Sequence, residues 1–437
     1  LSNGDDIRPA DLSDVHQELD LWTGRLTSRF RLNGKPVTVT TAVHPDRDLL
    51  AVRTDSPLVA EGTLQVRFAF PYGSPAMNAA DWQQSTKHQT TFIRSGSGLA
   101  KLHRQVDSDE YFVAITWNNS QKLVVHDAHS IVLSSVSTDA RKPLEFVVGF
   151  SARQSKAELP GVSATFAESA DHWRRFWSEG ATIELSRSSD QRAVELERRI
   201  ILSQYLTAIQ CCGSMPPQET GLTVNSWYGK FHLEMHWWHA AHFALWNRLP
   251  LFEKSLGWYN KVLPVARRLA ESQGYVGARW PKMVGPEGRD SPSPIGPLLI
   301  WQQPHPITYA ELCYQARPTR QTLERYREVV FESADFMASF AFYDEKTQRY
   351  VLGPPLIPAQ ENHPPRETWN PTFELAYWRD GLKNAQRWRE PVTAKSRAIS
   401  HSPRVMLRNE ATVPLLRSAS ITASTDGGRP AIGSPLT

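Results

Sequence analysis

Leu19-Asp-Leu-Trp-Thr-Gly-Arg-Leu-Thr-Ser-Arg-Phe-Arg-Leu32, then Asn33-Gly34, then Pro36-Val-Thr-Val-Thr-Thr-Ala-Val43, reads as apolar and polar residues alternating on either side of an Asn-Gly dipeptide. Alternation at period two gives a strand one face for the core and one for water. Asn and Gly accept the left-handed backbone of a two-residue hairpin loop, so the pair predicts a tight antiparallel turn. Working outward, further β-branched runs predict strands at Leu49 to Arg53, Thr63 to Phe70, Gln89 to Arg94, Tyr111 to Trp117, Leu123 to Val125 and Leu144 to Ser151. Residues 1–160 are therefore expected to form an antiparallel β-sandwich.

Beyond it the period changes. Residues 161–188 read as a helical linker near Ala164 to Ser178 with one more strand at Thr182 to Leu185, and residues 189–390 read as helix throughout. Apolar residues at spacings of three and four predict helices at Ser189 to Cys211, Leu233 to Trp246, Leu256 to Ser272, Pro306 to Tyr314, Arg320 to Phe342 and Pro371 to Arg389. Two long irregular stretches, Gly274 to Gln303 and Leu352 to Asn370, interrupt them. Loops of that length inside a compact domain generally carry function, which marks both for chemistry.

Composition excludes several classes. The net charge of +4 is accounted for by residues 391–437, where six basic residues meet only Glu410 and Asp426, so the body is neutral and lacks the basic face that nucleic-acid binding needs. No run of eighteen apolar residues is present to cross a membrane. Cys211, Cys212 and Cys313 have neither metal-ligand nor disulfide spacing. All 44 aromatic residues precede Glu390. A Ser/Thr/Ala/Pro-rich tail after an uncapped helix predicts either disorder or a lost reading frame near Arg389, the second being favoured.

Between Gly229 and Trp246 the chain packs four histidines, three tryptophans and Glu234 into Gly-Lys-Phe-His-Leu-Glu-Met-His-Trp-Trp-His-Ala-Ala-His-Phe-Ala-Leu-Trp. Indoles beside isolated acid and imidazole groups suit a site that holds sugar rings better than an ordinary amphipathic face. His232, His236, His239 and His242 fall at spacings of four, three and three, a stripe able to hold zinc. The His-Glu-x-x-His order is absent, Glu234 falls on another face, and Trp237, Trp238 and Phe243 crowd the stripe, so neither metal nor cofactor is expected.

Four segments, in order, resemble glycoside hydrolase family sixty-five, the α-glucoside phosphorylases and hydrolases. Gly229-Lys-Phe-His-Leu-Glu is similar to that family's Gly-His-Ile-Phe-Trp-Asp, and Gly274-Tyr-Val-Gly-Ala-Arg-Trp-Pro to its Gly-Tyr-x-Gly-Ala-x-x-Pro. His305-Pro-Ile-Thr-Tyr-Ala stands where the family has His-Ile and an Asp-Ile-Ala-Tyr helix. Leu352-Gly-Pro is similar to its Gly-Pro-Asp-Glu-Tyr loop, which carries the general acid. The chain departs from the pattern at Glu234 for the Asp of the family's sugar clamp, Leu233 for its Trp and His236 for its Glu.

The resemblance implies a sandwich followed by a partial (α/α)6 toroid, and an inverting glycosidase acting on α-linked glucosides. A phosphorylase, or a non-catalytic carbohydrate-binding protein, is the alternative. It further implies an oligosaccharide substrate, a homodimer paired through the barrels and, by analogy, a periplasmic or secreted location. The general base belongs to the later half of the barrel, past residue 390, so this chain by itself is expected to show little activity.

Glycoside cleavage needs a protonated carboxyl at the leaving oxygen. Glu361 is the expected acid, desolvated by Pro354-Pro355-Leu356-Ile357-Pro358, with Glu374 the rival; Glu374 also sits close to a capping-box position behind Asn370 and Pro371. Glu234, His236, Trp238, Arg279, Trp280, Lys282, His305 and Trp378 are the expected substrate-binding residues. Tryptophans here could equally be core, except Trp280, whose loop setting is a poor place to build core. His305, between prolines, is expected at a cavity mouth.

Overall fold

The computed structural model describes residues 7–390, except 75, 77, 78, 97, 119, 140, 156, 223 and 224, together with the backbone of 420–424. The described residues divide into two compact units, one formed within 7–74 and 79–179 and the other within 180–390. The expected tail falls outside the described residues apart from Ser420–Ser424, which pairs antiparallel with Leu12–Asp20.

In the first unit Asn33 and Gly34 have φ of 52° and 73°, the two left-handed residues of a type I′ hairpin, and close Arg25–Leu32 onto Lys35–Val43. The Leu19 to Leu32 run is not one strand. A turn at Asp20 to Gly24, with the Gly24 amide donating to the Asp20 carbonyl at 2.8 Å, divides it between Leu12–Asp20 and Arg25–Leu32. The main sheet continues through Leu49–Asp55, Leu144–Ser151, Asp109–Trp117, Leu99–Val106 and His88–Gly96, and a smaller sheet holds Gln121–Asp127, Ser130–Ser135 and Val66–Ala69. Leu99–Val106 and Ser130–Ser135 escaped the sequence reading because Lys101, His103, Arg104 and the serines blur the alternation. Leu102, Val113, Ile115, Ile131, Leu133 and Phe146 fill the space between the sheets. Helix α1 (Val162–Glu179) covers the other face through Val162 and Phe166, against Ala51 and Val147.

The second unit is helical: α2 (Ala193–Cys211), α3 (Leu249–Ser272), α4 (His305–Ala316), α5 (Arg320–Phe340) and α6 (Thr372–Arg389). Thr182 to Leu185 is not a strand, and the predicted helix at Leu233 to Trp246 is confined to a π-turn at Trp237–Ala241 followed by His242–Leu245. α4 packs against α5 and α6, and α3 against α5. The architecture is the expected one, an antiparallel β-sandwich followed by part of an (α/α)6 toroid. Between the helices run the two long loops that sequence reading singled out, and their course fixes the site.

Candidate active site

Glu234 and Lys282 lie 48 positions apart in sequence, and a minimal β-ladder brings them together. Phe231–His232 pairs antiparallel with Met283–Val284, and the Leu233 amide donates to the Lys282 carbonyl at 2.8 Å. The strand from Lys282 onward is anchored upstream by Gly277, where φ is 81° and a Cβ would meet the α5 carbonyl of Glu332 and amide of Phe336 at 2.3 Å. Only glycine fits there, which gives the Gly-Tyr-Val-Gly-Ala motif its physical reason.

The second loop arrives from the other side. The Ile357 amide donates to the Leu298 carbonyl at 2.9 Å, and the Ala359 amide to Glu374 Oε1, at the start of α6, at 2.7 Å. Leu356 and Ile357 are buried, Ile357 among Leu299 and Trp301, so the proline-rich stretch anchors the loop. Past it the chain turns at Glu361 (φ 56°), and Lys282 Nζ donates to Glu361 Oε1 at 2.6 Å. The same ammonium lies 3.5 Å from Glu234 Oε1. Lys282 thus spans both carboxyls, whose nearest oxygens stand within about 6 Å of each other, 2.6 and 3.5 Å end to end.

The two acids differ in setting. The Glu361 side chain is 35% exposed and that of Glu234 only 5%. Burial pushes the Glu234 carboxyl up to about 7 against the opposing pull of Lys282, and its Oε2 has no hydrogen-bond partner among the described residues. The desolvated carboxyl is therefore Glu234, whereas the apolar loop was expected to desolvate Glu361. Glu374 is buried too, with burial raising its pKa and Oε2 unpartnered, but its Oε1 is spent on Ala359.

Five of the expected binding residues are structural. His236 is fully enclosed, between Tyr259 Oη at 2.9 Å and Ser255 Oγ at 3.0 Å. Trp280, 1% exposed, is core after all: its indole N–H donates to Ser333 Oγ at 2.8 Å and its edge meets Tyr259. Loop residues build core here because Gln302 and Gln303 reach the main chain on both sides of Trp280 and satisfy it. Arg279 is buried, donating to Gln273 Oε1 and the Pro297 carbonyl beneath the Phe336 ring. Trp378 is buried, its indole N–H on the Ile300 carbonyl.

His305 is buried rather than exposed at a cavity mouth. Its Nε2 lies 3.1 Å from the Glu234 carbonyl and its Nδ1 2.8 Å from Tyr377 Oη, while burial drives its pKa down to about 3. A carbonyl only accepts, so a neutral His305 must donate from Nε2 and accept from Tyr377. It holds the backbone of Glu234. Tyr377 was not foreseen; its spacing of three from Glu374 was the available signal.

Trp238 remains a candidate for contact with substrate. It is 57% exposed and edges onto Trp301, which in turn meets His305 and Phe373. The histidine stripe dissolves into separate partners: His232 donates to the Lys230 carbonyl, His239 to that of Glu219 and His242 to that of His239. Among the described residues no three His, Cys, Asp or Glu side chains are grouped to hold a metal, and no helix is long and apolar enough to cross a membrane.

No protein-family model matches the chain, and no curated protein matches it. Solved structures do. A protein from the human microbiome assigned as a kojibiose phosphorylase superposes with a TM-score of 0.67 at 10% identity, over 86% of this chain and 52% of its own. A bacterial glucoamylase complexed with acarbose gives a TM-score of 0.44 at 12% identity, over 86% of this chain and 58% of its own. The family GH92 α-mannosidase BT3965 from Bacteroides thetaiotaomicron gives 0.28 at 12% identity, over 71% and 41%. Superpositions as loose as the last two carry no weight. The first shows that the chain has the fold of part of that protein, so the family sixty-five likeness holds at the level of fold. The chain spans about half the length of that structure.

Proposed function

We propose that this chain supplies one wall of the active site of a carbohydrate-active enzyme that cleaves α-linked glucosides. The observation that carries the reading is the group Glu234, Lys282 and Glu361. A nearly buried carboxyl with an unpartnered oxygen shares an ammonium with a half-exposed carboxyl, at the junction of the two loops. Such a group offers acceptors and donors to the vicinal hydroxyls of a sugar ring, and the exposed face of Trp238 offers a surface for its C–H groups.

In this reading Glu361 is the general acid, a role that requires the bound sugar to draw Lys282 away from its carboxyl so that Glu361 holds a proton. It donates its proton to the glycosidic oxygen as the anomeric C–O bond breaks, and water attacks the anomeric carbon from the opposite face. Glu234 and Lys282 hold the ring. Glu234 is a poor choice for the water-activating base, because its carboxyl is nearly buried and tied beside Glu361 by the ammonium they share, whereas an inverting pair needs room for water and sugar between its carboxyls. The base, or in a phosphorylase the anion site, is to be sought elsewhere in the enzyme. We favour hydrolysis with inversion; phosphorolysis is the second reading, favoured by the likeness of fold to a protein assigned as a kojibiose phosphorylase.

The test is turnover of kojibiose and a nitrophenyl α-glucoside by the full-length protein, with and without inorganic phosphate. Product that requires phosphate would select phosphorolysis; product without it, hydrolysis. Glu361→Gln must lose at least two orders of magnitude in rate while keeping the fold. An unaltered rate would remove Glu361 from the mechanism.

A further inference from the structure

Trp227, Tyr228 and Gly229 form three consecutive residues with left-handed backbone, at φ of 46°, 62° and 72°. Glycine adopts that region freely, but a tryptophan followed by a tyrosine does so at a cost, and persists only where the surroundings enforce it. They do so here. The Gly229 amide donates to the Ser226 carbonyl at 3.0 Å, the Ser226 amide to Gln218 Oε1 at 3.1 Å, and Thr220 Oγ1 to Ser226 Oγ at 2.9 Å. The strain is not repaid by burying the rings: Trp227 is 55% exposed and Tyr228 58%.

Two large rings are thus turned outward at a conformational cost, four and three residues before the Phe231–His232 ladder that leads to Glu234. Lys230 lies beyond them with its ammonium 5.5 Å from the Tyr228 ring, and Trp227 leans on His232 at 6.4 Å between ring centres. Each ring thus has one neighbour set against it, Lys230 for Tyr228 and His232 for Trp227. Flat, exposed rings bordered by an ammonium match an amphipathic ligand with apolar C–H faces and hydroxyl rims, which is the chemistry of a sugar.

We propose that Trp227 and Tyr228 form a second sugar-binding platform, which holds a glucosyl unit beyond the one held at Glu234 and Lys282. The proposal rests on the carbohydrate reading above and adds to it a preference for longer oligosaccharides. Lys230 donates to a hydroxyl of that outer unit.

Calorimetric titration of the full-length protein with glucose, kojibiose and maltotetraose, on wild type and on Trp227→Gly and Tyr228→Gly, tests both levels. Glycine relieves the left-handed strain, so both variants should keep or raise the thermal midpoint. Each should bind maltotetraose about tenfold more weakly than wild type while glucose binding is unchanged. Wild type that binds none of the three sugars would overturn the carbohydrate reading and the platform with it. Wild-type binding of maltotetraose that both variants retain in full would overturn the platform alone. A loss of stability matching the loss of binding would also overturn it, since the rings would then be structural.

Discussion

Lys282 Nζ lies 2.6 Å from Glu361 Oε1 and 3.5 Å from Glu234 Oε1, so one ammonium serves two carboxyls, of which only Glu361 is substantially exposed to water. Removing the cation should therefore hurt chiefly through Glu234, because solvent screens Glu361. Lys282→Met is expected to cost about 1.4 kcal/mol at pH 8, because Glu234, which titrates at about 7 even beside Lys282, takes up a proton rather than stay charged, buried and unpaired. At pH 6 the loss should shrink, since Glu234 then carries a proton. Urea denaturation at the two pH values measures the difference; an equal loss at both would show that Lys282 acts by packing.

Glu234→Gln isolates the buried charge itself. The folded carboxyl titrates at about 7, above its ordinary value of 4.5. Its contribution to stability is fully present below pH 4.5 and is lost as pH rises through 7, because the folded state binds the proton more tightly. The amide has no charge to desolvate, so the variant should exceed wild type in stability at pH 8, by an amount on the order of 3 kcal/mol, and match it near pH 4.5. Sugar binding should fall at the same time. Denaturant midpoints at pH 5 and 8 check the sign.

The sandwich was legible because one face of each strand is buried, so alternation survives along Leu19 to Val43 and Asp109–Trp117. It faded at Leu99–Val106, where Arg104 occupies a core position and makes its bonds to Tyr111, Thr90 and main-chain carbonyls. In the helical unit Glu234, Lys282 and Glu361, which the structure brings together, stood among ten candidate residues, and the two loops were readable. Which side chains face a ligand was not. His236, Trp280 and His305 have the composition of a sugar site yet serve as satisfied core, because their partners Tyr259, Ser255, Ser333 and Tyr377 sit 19 to 72 positions away in sequence. Pairing at that range leaves no local pattern.

Acid should unfold the helical unit through its histidines. His232, His236, His239, His242 and His305 are all held below their ordinary pKa by burial, His305 down to about 3. Burial makes each harder to protonate when folded than when unfolded, so its contribution is full above about pH 6.5 and lost as pH falls. Glu234, Glu374 and Asp290, whose carboxyls burial raises, work in the opposite direction, but they are three groups against five. Stability should drop steeply from pH 6.5 to 5, at up to ~1.4 kcal/mol per pH unit for each histidine. His305→Gln should flatten that slope by about one proton, and an unchanged slope would mean that His305 is already charged when folded.

Glu374 and Glu361 separate by a pair of substitutions at each. Glu374 Oε1 accepts the Ala359 amide at 2.7 Å and so fixes the loop two residues before Glu361. If that is its role, Glu374→Gln keeps an acceptor in place and should retain most of the turnover. Glu374→Ala leaves a part-buried amide without that partner, should cost about 1 kcal/mol of stability, and should lower kcat by releasing Glu361. At position 361 the order differs, because Gln and Ala alike lack a proton to donate: both should lose about 10²–10⁴ in kcat with the thermal midpoint nearly unchanged. Steady-state kinetics beside thermal melts on the four variants give the answer. A Glu374→Gln variant as inactive as Glu374→Ala, with a wild-type melt, would make Glu374 the proton donor and Glu361 its neighbour.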